Sequence, residues 1–239
     1  MTEVPTAAIL PDLALNLKAR IEVLKIGHAQ QPVFIVDQAL VDADAMVEFA
    51  STRATFGPPP TSYYPGLVAA LPVNYMPDIL TALRRPMERV FGNAIPPFSQ
   101  FGFYGLATIP HSAMSPGQLI PHADAVHPHA FATVHFLSRT DLGGTAFYRH
   151  KATGLEVVTP SQGEASYRIR QAELEAHQDR PQAELQALYE EIAYIEPVFN
   201  RLILYRASQL HSAKMTGVDV LPPDPRTGRL TANLFVNTE

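Results

Sequence analysis

The sequence predicts a mainly β domain with flanking helices, of the α+β class. Proline and glycine are frequent, with 22 Pro and 13 Gly among 239 residues. They separate short apolar runs along the chain, a pattern that favours many short strands over a helix bundle. Helix-like sequence is concentrated before residue 96 and in one later segment, residues 164–195. We therefore expect one domain, residues 1–239, with helices near its start and one helical insertion.

Residues 1–96 are expected to form a supporting region of strands and helices. The runs IEVLKI (21–26) and PVFIVDQAL (32–40) are typical of strands. DADAMVEFAST (42–52) predicts a short helix with Asp42 or Asp44 as its N-cap. PDILTALRRPMERVFG (77–92) predicts a helix from Asp78 that is broken or kinked near Pro86 and ends at Gly92.

Residues 97–239 are expected to form a core of strands. The apolar runs that predict these strands are 98–107, 118–122, 130–138, 145–150, 155–158, 201–206 and 229–236. Residues 164–195 differ, because they are rich in Ala, Glu, Gln and Leu, which are good helix formers. They predict a helical insertion between two strands, interrupted at Pro181.

Composition and charge exclude several classes of protein. The hydrophobic fraction of 46% and charged fraction of 17% are those of a folded globule. The net charge of −5 disfavours a nucleic-acid partner, because phosphate contacts require clustered Lys and Arg. No cysteine is present, so a metal would have to bind His, Asp or Glu. No apolar run approaches the ~18 residues of a membrane span, and no basic segment precedes the first apolar stretch. We expect no membrane partner and a cytoplasmic location.

A histidine cluster is the strongest chemical signal. The segment PHADAVHPHAFATVHFLS (121–138) holds four of the nine histidines. His122 and Asp124 are separated by one residue, which places both side chains on one side of an extended chain. Two His and one carboxylate on one face of an octahedron form an iron(II) site that leaves three positions open. The third ligand would come from a distant segment; the candidates are His127, His129, His135, His150, His177 and His211.

Among these candidates His211 is favoured, because it ends NRLILYRASQLHS, whose LILY run is typical of a buried strand. His127 and His129 flank Pro128 in an expected loop, and His135 is expected to be a packed or surface residue. A His-x-Asp pair is, taken alone, more often a chance pattern than a metal site.

The order of the motifs resembles that of the iron(II)- and 2-oxoglutarate-dependent dioxygenases, most closely their prolyl-hydroxylase-like branch. SPGQLIPHAD (115–124) is similar to the family's Pro-Gly turn and ligand pair, and DLGGTAFYRHKATG (141–154) to its Gly-Gly turn. NRLILYRASQLHSA (200–213) is similar to the strand that delivers the distal His, and GRLTANLFV (228–236) to the last strand. The resemblance extends over most of residues 33–236. It implies a double-stranded β-helix, a jelly-roll or cupin-like barrel.

The resemblance also implies a site and a reaction. Iron(II) would be held by His122, Asp124 and His211, with no separate catalytic residue. The enzyme would use 2-oxoglutarate and O2 to hydroxylate a C–H bond of a small-molecule or amino-acid-like substrate, with release of succinate and CO2. By motif position, the far carboxylate of 2-oxoglutarate would bind Arg229, since a guanidinium meets a carboxylate in a bidentate manner.

Alternation along RLTANLF adds a second cosubstrate candidate. Arg229, Thr231 and Asn233 fall on one face of this strand, which is either a polar interior or a solvent-exposed face. We take Asn233 as a further cosubstrate contact, and Tyr104, in FGFYGL, or Tyr205 as a weaker one.

Three departures from the family pattern leave alternatives open. Arg229 follows His211 by eighteen residues, about double the family's usual spacing, so Arg226 is the alternative. Met114 and Phe136 occupy positions where many relatives have Tyr. The insertion at 164–195 is a lid, a dimerisation element for a homodimer, or a packing helix pair.

Two other classes of function compete with a dioxygenase. One is a non-catalytic metal- or ligand-binding jelly-roll protein, and the other is a cupin-type metal enzyme that does not use 2-oxoglutarate. The aromatic segment TSYYPG (61–66) lines a pocket or simply packs.

Overall fold

The computed structural model describes residues 10–11, 13–59, 64–92, 99–215 and 220–237. Part of the TSYYPG segment, residues 61–63, lies outside these ranges. The strands are β1 (Arg20–Ile26), β2 (Gln31–Asp37), β3 (Gly66–Ala69), β4 (Ser99–Ala107), β5 (Ala130–Phe136), β6 (Gly144–His150), β7 (Tyr189–Ile195), β8 (Arg201–Arg206), β9 (His211–Lys214) and β10 (Arg229–Asn237). The helices are α1 (Asp44–Thr52), α2 (Tyr75–Phe91), α3 (Pro116–Leu119), α4 (Gly163–Ala176) and α5 (Gln182–Gln186).

The strands form two sheets, as expected for a double-stranded β-helix. The large sheet has the order β1-β2-β8-β5-β10-β4-β3 and the small sheet the order β7-β6-β9. All pairings are antiparallel. Strands β1 and β2 extend one edge of the large sheet and β3 extends the other. The prediction of a mainly β jelly roll with flanking helices is confirmed.

The two faces of strand β10 contact two different buried regions on opposite sides of the large sheet. Leu230, Ala232 and Leu234 belong to an apolar cluster that includes Met46 of α1 and Ile79 of α2. Helices α1 and α2 therefore cover the outer face of the large sheet. The alternate residues of β10 point to the space between the sheets, where a second cluster joins β2, β5 and β8 to β6 and β7.

Helix α2 begins three residues earlier than predicted and runs without interruption through Pro86. It ends at Gly92 with φ 76°, a left-handed conformation that glycine adopts readily. Proline removes one helical hydrogen bond, but the buried side of the helix holds it against the sheet. That side consists of Tyr75, Ile79, Leu83, Met87 and Phe91. The predicted end of the helix is confirmed, and of the two predicted effects of Pro86, a break or a kink, the break does not occur.

The segment 118–122 was predicted to form a strand, but it does not. Residues Pro116–Leu119 form α3, and Ser115 precedes it in a capping box with Gln118. Serine, proline and glycine at its start favour a helical turn over an extended chain. Residues 155–158 also lack a strand, since Val157 forms only a single bridge with Gln209.

The helical insertion is shorter than the predicted 164–195. Helix α4 ends at Ala176 and helix α5 at Gln186, and Tyr189–Ile195 forms β7, which pairs with β6. The sequence of β7, YEEIAYI, contains aromatic and β-branched residues that favour a strand. No helix in the described ranges is long and apolar enough to cross a membrane.

Candidate metal centre

His122, Asp124 and His211 meet because main-chain hydrogen bonds join their segments. The His122 N–H donates to the His211 carbonyl, and the His211 N–H donates to the His122 carbonyl, both at 3.0 Å. The Asp124 N–H donates to the Ala207 carbonyl at 2.8 Å. The loop before β5 and the start of β9 are thus in register, as in an antiparallel ladder. This register places three side chains with metal-binding atoms at one point.

The three side chains have separations that suit one metal ion. His122 Nε2 lies 3.4 Å from Asp124 Oδ1, and His211 Nε2 lies 3.3 Å from Asp124 Oδ2. One ligand atom from each residue lies within 4.8 Å of the others. Ligand bonds of about 2.1 Å at right angles would put neighbouring ligand atoms about 3 Å apart. The donor set therefore fits one face of an octahedral ion, and no other such group of three occurs among the described residues.

His211 is oriented by contacts on its far side. Its Nδ1–H donates to the Gln209 carbonyl at 2.9 Å, which fixes the ring in the orientation in which Nε2 faces Asp124. The ring packs edge-on against Tyr205, with centroids 4.8 Å apart. The His211 side chain is 8% exposed and that of His122 is 43% exposed, so His122 lies toward solvent and His211 lies inside.

The electrostatics of the triad favour an ionised carboxylate. Burial by itself raises the pKa of Asp124, but the charge of His211 and hydrogen bonds from His122 and His211 hold it well below its ordinary value. For His211, burial lowers the pKa, and the Asp124 carboxylate more than offsets this effect. Asp124 is thus an anion over the ordinary range of pH, as a metal ligand must be.

Arg229 is a buried cation in the space between the sheets. It is 4% exposed, and its Nε and Nη2 donate to the carbonyls of Gly143 and Gly144 at 2.8 and 3.1 Å. Gly143 has φ 95°, so the Gly-Gly turn presents these carbonyls in a backbone conformation that other residues rarely adopt. No carboxylate in the described part of the chain forms an ion pair with Arg229. A buried charge without a counter-ion is costly, so this position fits an anionic ligand.

Tyr64 lies beside Arg229, a contact that the sequence did not reveal. Its hydroxyl interacts with Thr231 and Arg229, and burial raises its pKa while Arg229 partly lowers it again. Gly105 makes room for the ring, since an added Cβ there would lie 2.4 Å from the Tyr64 hydroxyl. The TSYYPG segment was expected to line a pocket or to pack, and Tyr64 lines the cavity. Nothing in its spacing connects it with Arg229, 165 residues later.

The polar face of β10 is an interior face. Thr231 and Asn233 are buried with Arg229, and all three line the same cavity. The Asn233 Nδ2–H donates to Thr231 Oγ1 at 3.0 Å. This hydrogen bond orients the Asn233 side chain in the cavity, where Asn233 remains a candidate contact for a cosubstrate.

Tyr104 and Arg226 do not reach this site. Tyr104 lies on the opposite face of β4, where its hydroxyl donates to the Met46 carbonyl at 2.9 Å. Alternation along β4 directs the neighbouring Phe103 into the cavity instead. Arg226 is exposed and pairs with Glu48 at 2.9 Å. The predicted cosubstrate contact of Tyr104 is therefore corrected, and Arg226 is not an alternative to Arg229.

The two positions that lack a tyrosine have different surroundings. Met114 lines the cavity, and Phe136 packs in the apolar cluster between the sheets. Tyr205 lines the cavity beside the triad and is almost fully buried. Of the tyrosines in the described lining, Tyr64 is the one that interacts with Arg229 and Thr231 on β10.

The triad and Arg229 open into one cavity of about 780 Å³. Helix α4 forms part of its wall, through Gly163, Ser166, Tyr167, Ile169 and Arg170. The insertion is attached to the segment before the triad: Arg170 Nη2 donates to the Gly117 carbonyl at 2.9 Å, and Gln182 Nε2 to the Met114 carbonyl at 3.3 Å. The insertion is thus a wall of the cavity, and its role as a dimer contact stays a prediction.

The remaining histidines lie outside the triad. His135 is 0% exposed, and its ring bonds to the Tyr75 hydroxyl at 2.9 Å and to Asn200 Oδ1 at 3.1 Å. Its prediction as a packed residue is confirmed. His150 lines the cavity, but Thr153 and Glu173 contact its two ring nitrogens. His177 and Asp179 repeat the His-x-Asp spacing at the end of α4 without joining a metal-binding group.

Comparison with solved structures finds similar folds at low identity. HygX from Streptomyces hygroscopicus, solved with nickel, 2-oxoglutarate and hygromycin B bound, is 11% identical, with a TM-score of 0.50 over 87% of this chain and 83% of that one. SnoN, a non-haem α-ketoglutarate-dependent epimerase from nogalamycin biosynthesis, is 12% identical, with a TM-score of 0.49 over 88% and 80%. A Pseudomonas putida prolyl-4-hydroxylase is 12% identical, with a TM-score of 0.38 over 88% and 89%. At this identity the likeness to HygX shows the jelly-roll fold alone.

No curated protein matches the chain. A protein-family profile, described as a family of unknown function (DUF6445), matches residues 17–236. The match spans both sheets, the three clustered side chains and Arg229. This chain is therefore a member of the DUF6445 family.

Proposed function

We propose that this protein is an iron(II)- and 2-oxoglutarate-dependent oxygenase that hydroxylates a C–H bond of a small-molecule or amino-acid-like substrate. One observation carries the proposal: a single cavity contains both the triad of metal-binding side chains and a buried arginine, Arg229, that forms no ion pair with a carboxylate among the residues that the structure describes. A simple metal site would explain the first feature but would give no reason for the second.

In this proposal His122, Asp124 and His211 would hold the iron through one ligand atom each. Asp124 supplies the negative charge, and the Gln209 carbonyl keeps the His211 ring in the orientation that presents Nε2. When bound, iron and 2-oxoglutarate supply the oxidising chemistry, with succinate and CO2 as products and O2 as the oxidant.

Arg229 would bind the far carboxylate of 2-oxoglutarate. The Gly143 and Gly144 carbonyls hold the guanidinium in place, and its planar fork suits a bidentate contact with a carboxylate. The Tyr64 hydroxyl is positioned to donate to the same carboxylate. This contact would replace the tyrosines that many relatives carry at the positions of Met114 and Phe136.

The order of the sequence motifs supports the narrower assignment to the prolyl-hydroxylase-like branch. The carboxylate of Asp124 also favours hydroxylation over halogenation, because halogenating relatives leave that position open for a halide.

The test is the visible charge-transfer band that iron(II) and 2-oxoglutarate give when both bind without oxygen. We expect the band in the parent protein, its loss in His211→Ala and its weakening in Arg229→Gln. His127→Ala and Arg226→Gln are matched controls, since each is a nearby residue of the same type outside the cavity lining. Both controls should keep the band.

The outcomes separate the competing functions. Iron binding without a band, in a folded protein, would indicate either a cupin-type metal enzyme that does not use 2-oxoglutarate or a non-catalytic metal-binding jelly-roll protein. Failure to bind iron at all would indicate a non-catalytic ligand-binding jelly-roll protein. If the band is seen, formation of succinate that depends on a substrate would complete the assignment as a 2-oxoglutarate-dependent oxygenase.

A further inference from the structure

The large sheet lines the cavity with a row of aromatic rings that the proposed function uses at one end only. Phe101 of β4 and Phe235 of β10 lie directly opposite each other, and their rings stack with centroids 4.7 Å apart and planes inclined by 10°. Phe103 stacks on Phe235 at 5.9 Å, and Tyr64 meets Phe103 edge-on at 5.8 Å. These four residues, the aromatic row, all line the cavity. Since Tyr64 interacts with Arg229, the row leads from the proposed cosubstrate site to Phe101.

Phe101 ends the aromatic row with an exposed ring. It is 55% exposed, more than any other phenylalanine in the described ranges, while Phe103 and Phe235 are half-buried. A single exposed apolar side chain on a protein surface needs no explanation. Phe101 differs because its ring belongs to a stack inside the cavity lining. Apolar surface that a cavity leaves in contact with water favours a ligand that covers it.

A second wall of the cavity, formed by α4 and the segment before β5, also exposes apolar side chains. Tyr167 is 64% exposed and Val126 is 37% exposed. Gly163 contacts Val126, since a Cβ added to it would lie 3.2 Å from Val126 Cγ1, and Tyr167 lies one turn later on the same side of α4. Together with Phe101, Val126 and Tyr167 are the exposed large apolar side chains of the described lining. The cavity thus exposes apolar surface on two of its walls.

The geometry of the aromatic row favours a flat ligand over a merely apolar one. Two aromatic rings with centroids about 4.5–7 Å apart gain about two- to tenfold in affinity beyond the burial of their area, and a saturated ring does not have this gain. Phe101 and Phe235 are almost parallel, so a further planar ring on Phe101 would extend an existing stack. The cavity volume of about 780 Å³ is in the upper part of the range for small-molecule sites, about 300–1,000 Å³.

We propose that the substrate is a small molecule with a planar aromatic ring system that stacks on Phe101 and contacts Tyr167. This inference rests on the proposed function, because the triad and Arg229 are taken to hold iron and 2-oxoglutarate in the same cavity. The ring system would lie between the large sheet and the insertion, so α4 takes part in recognition of the substrate. The barrel would provide the metal and cosubstrate sites.

The test measures binding of 2-naphthol to the full chain loaded with nickel(II), which does not support turnover, and 2-oxoglutarate. The chain contains no tryptophan, so the emission of 2-naphthol can be excited at wavelengths that its tyrosines do not absorb. Decahydro-2-naphthol, the saturated form of the same molecule, is measured by its displacement of 2-naphthol. We expect 2-naphthol to bind at least about twofold more tightly than decahydro-2-naphthol, although the saturated rings are the more apolar.

Variants of the two exposed rings test where this preference arises. Phe101→Leu and Tyr167→Leu should each lower it, and the double variant should abolish it, whereas Phe101→Tyr should keep it. Both side chains are exposed, so these changes should leave the fold intact. Phe199→Leu is the matched control, because Phe199 lies outside the cavity lining, where its ring contacts the Arg139 guanidinium. It should bind both probes as the parent does.

Three results would overturn the proposal. The first is equal or tighter binding of decahydro-2-naphthol, which would mean that the walls select apolar bulk alone. The second is a preference for 2-naphthol that survives in the double variant. The third is tighter binding of cyclohexyltrimethylammonium than of 2-naphthol, which would mean that the exposed rings attract a cation.

Manganese(II) at the triad reports the position of the bound ring, because its unpaired electrons speed the relaxation of nearby protons. The 2-naphthol protons should relax faster with manganese than with zinc(II), and Asp124→Asn should abolish the difference by removing a metal ligand. Equal relaxation with both metals, in a protein that binds metal and 2-naphthol, would place the ring outside this cavity and overturn the proposal.

A failure of the proposed function can be distinguished from a failure of this inference. Nickel and 2-oxoglutarate titrations of the parent without a probe test the proposed function alone. Both probes are also titrated into metal-free protein, so the preference for 2-naphthol and its dependence on Phe101 are measured even if 2-oxoglutarate does not bind. A preference that depends on Phe101 in a protein without 2-oxoglutarate affinity would support an aromatic ligand and reject the oxygenase.

Discussion

At the scale of single residues, the position of the Tyr64 ring explains why residue 105 is a glycine, and Gly105 explains how the ring can lie there. The phenol ring lies over the strand at Gly105, where a side chain would overlap the ring. This close approach brings the hydroxyl to Arg229 and Thr231. A glycine in the middle of β4 weakens a strand on its own account, so its presence is explained by the ring it admits.

We expect Tyr64→Phe to raise the Kd of the nickel-loaded protein for 2-oxoglutarate about tenfold to a hundredfold. The variant removes a hydrogen bond to a charged group, a contact of about 1.5–3 kcal/mol, at 1.4 kcal/mol for each factor of ten. Gly105→Ala should weaken binding at least as much by displacing the ring. Calorimetric titration of 2-oxoglutarate measures both, with nickel affinity unchanged.

Tyr104→Phe is the control for this prediction. Its hydroxyl donates to the Met46 carbonyl outside the cavity, so its loss should cost about 1 kcal/mol of stability and leave the Kd unchanged. An unchanged Kd in Tyr64→Phe would show that Tyr64 only packs.

His135 illustrates a residue whose chemistry belongs to the fold. It lies under α2 between Tyr75 and Asn200, and burial lowers its pKa to about 4 from 6.5, partly offset by the Asn200 hydrogen bond. A lowered pKa means that the unfolded chain binds the proton more readily. Its contribution to stability is therefore complete above pH 6.5 and is lost as the pH falls toward 4.

Between pH 7 and pH 5 this single group should cost about 2 kcal/mol of unfolding free energy. Urea unfolding at both pH values measures it as the difference between the parent and His135→Gln, which has no titrating ring. His177→Gln, at the end of α4, is the control and should follow the parent. An equal pH dependence in the parent and in His135→Gln would contradict the assignment.

At the scale of elements, the insertion depends on one contact network. Glu173 joins α4 to His150 on β6 and to Tyr189 on β7. We expect Glu173→Gln to speed amide hydrogen exchange in residues 163–176, since a contact worth about 1–3 kcal/mol is weakened. Strand β10 and 2-oxoglutarate affinity should not change.

Glu175→Gln on the exposed side of the same helix is the control, and exchange in α4 should stay at the parent rate. Equal exchange in Glu173→Gln would mean that the Arg170 and Gln182 contacts with residues 114–117 hold the insertion without Glu173.

The sequence predicts elements best where one face is buried along a whole element. β10 alternates strictly, so the residues of its two faces could be separated before the structure was known, whereas the structure was needed to show that the polar face is interior. β7 was wrongly assigned to the insertion because YEEIAYI follows a long helix-forming run, and its strand form depends on pairing with β6. The three residues of the triad could be predicted from the His-x-Asp spacing and the order of the motifs. The role of Tyr64 could not be predicted, because its contact with Arg229 arises from tertiary packing alone.

At the scale of the whole molecule, the triad joins parts of the chain that belong to different sheets. His122 and Asp124 lie between β4 and β5 of the large sheet, and His211 begins β9 of the small sheet. The Ala207 carbonyl, which accepts from Asp124, lies just after β8 of the large sheet. A metal ion bound by the triad would link segments of the large sheet to β9 of the small sheet. Metal binding should therefore raise the free energy of unfolding of the whole domain.

We expect nickel(II) at a hundred times its Kd to stabilise the protein by about 2.7 kcal/mol, since it binds the folded chain and not the unfolded one. For a domain of this size that corresponds to a rise in Tm of about 5 to 10 °C. Asp124→Asn should abolish the rise, because the amide loses the negative charge that the ion requires, while His127→Ala should retain it. Differential scanning calorimetry with and without nickel measures the shift. A rise that persists in Asp124→Asn would place the stabilising ion elsewhere, and the two sheets would then be joined by packing rather than by the triad.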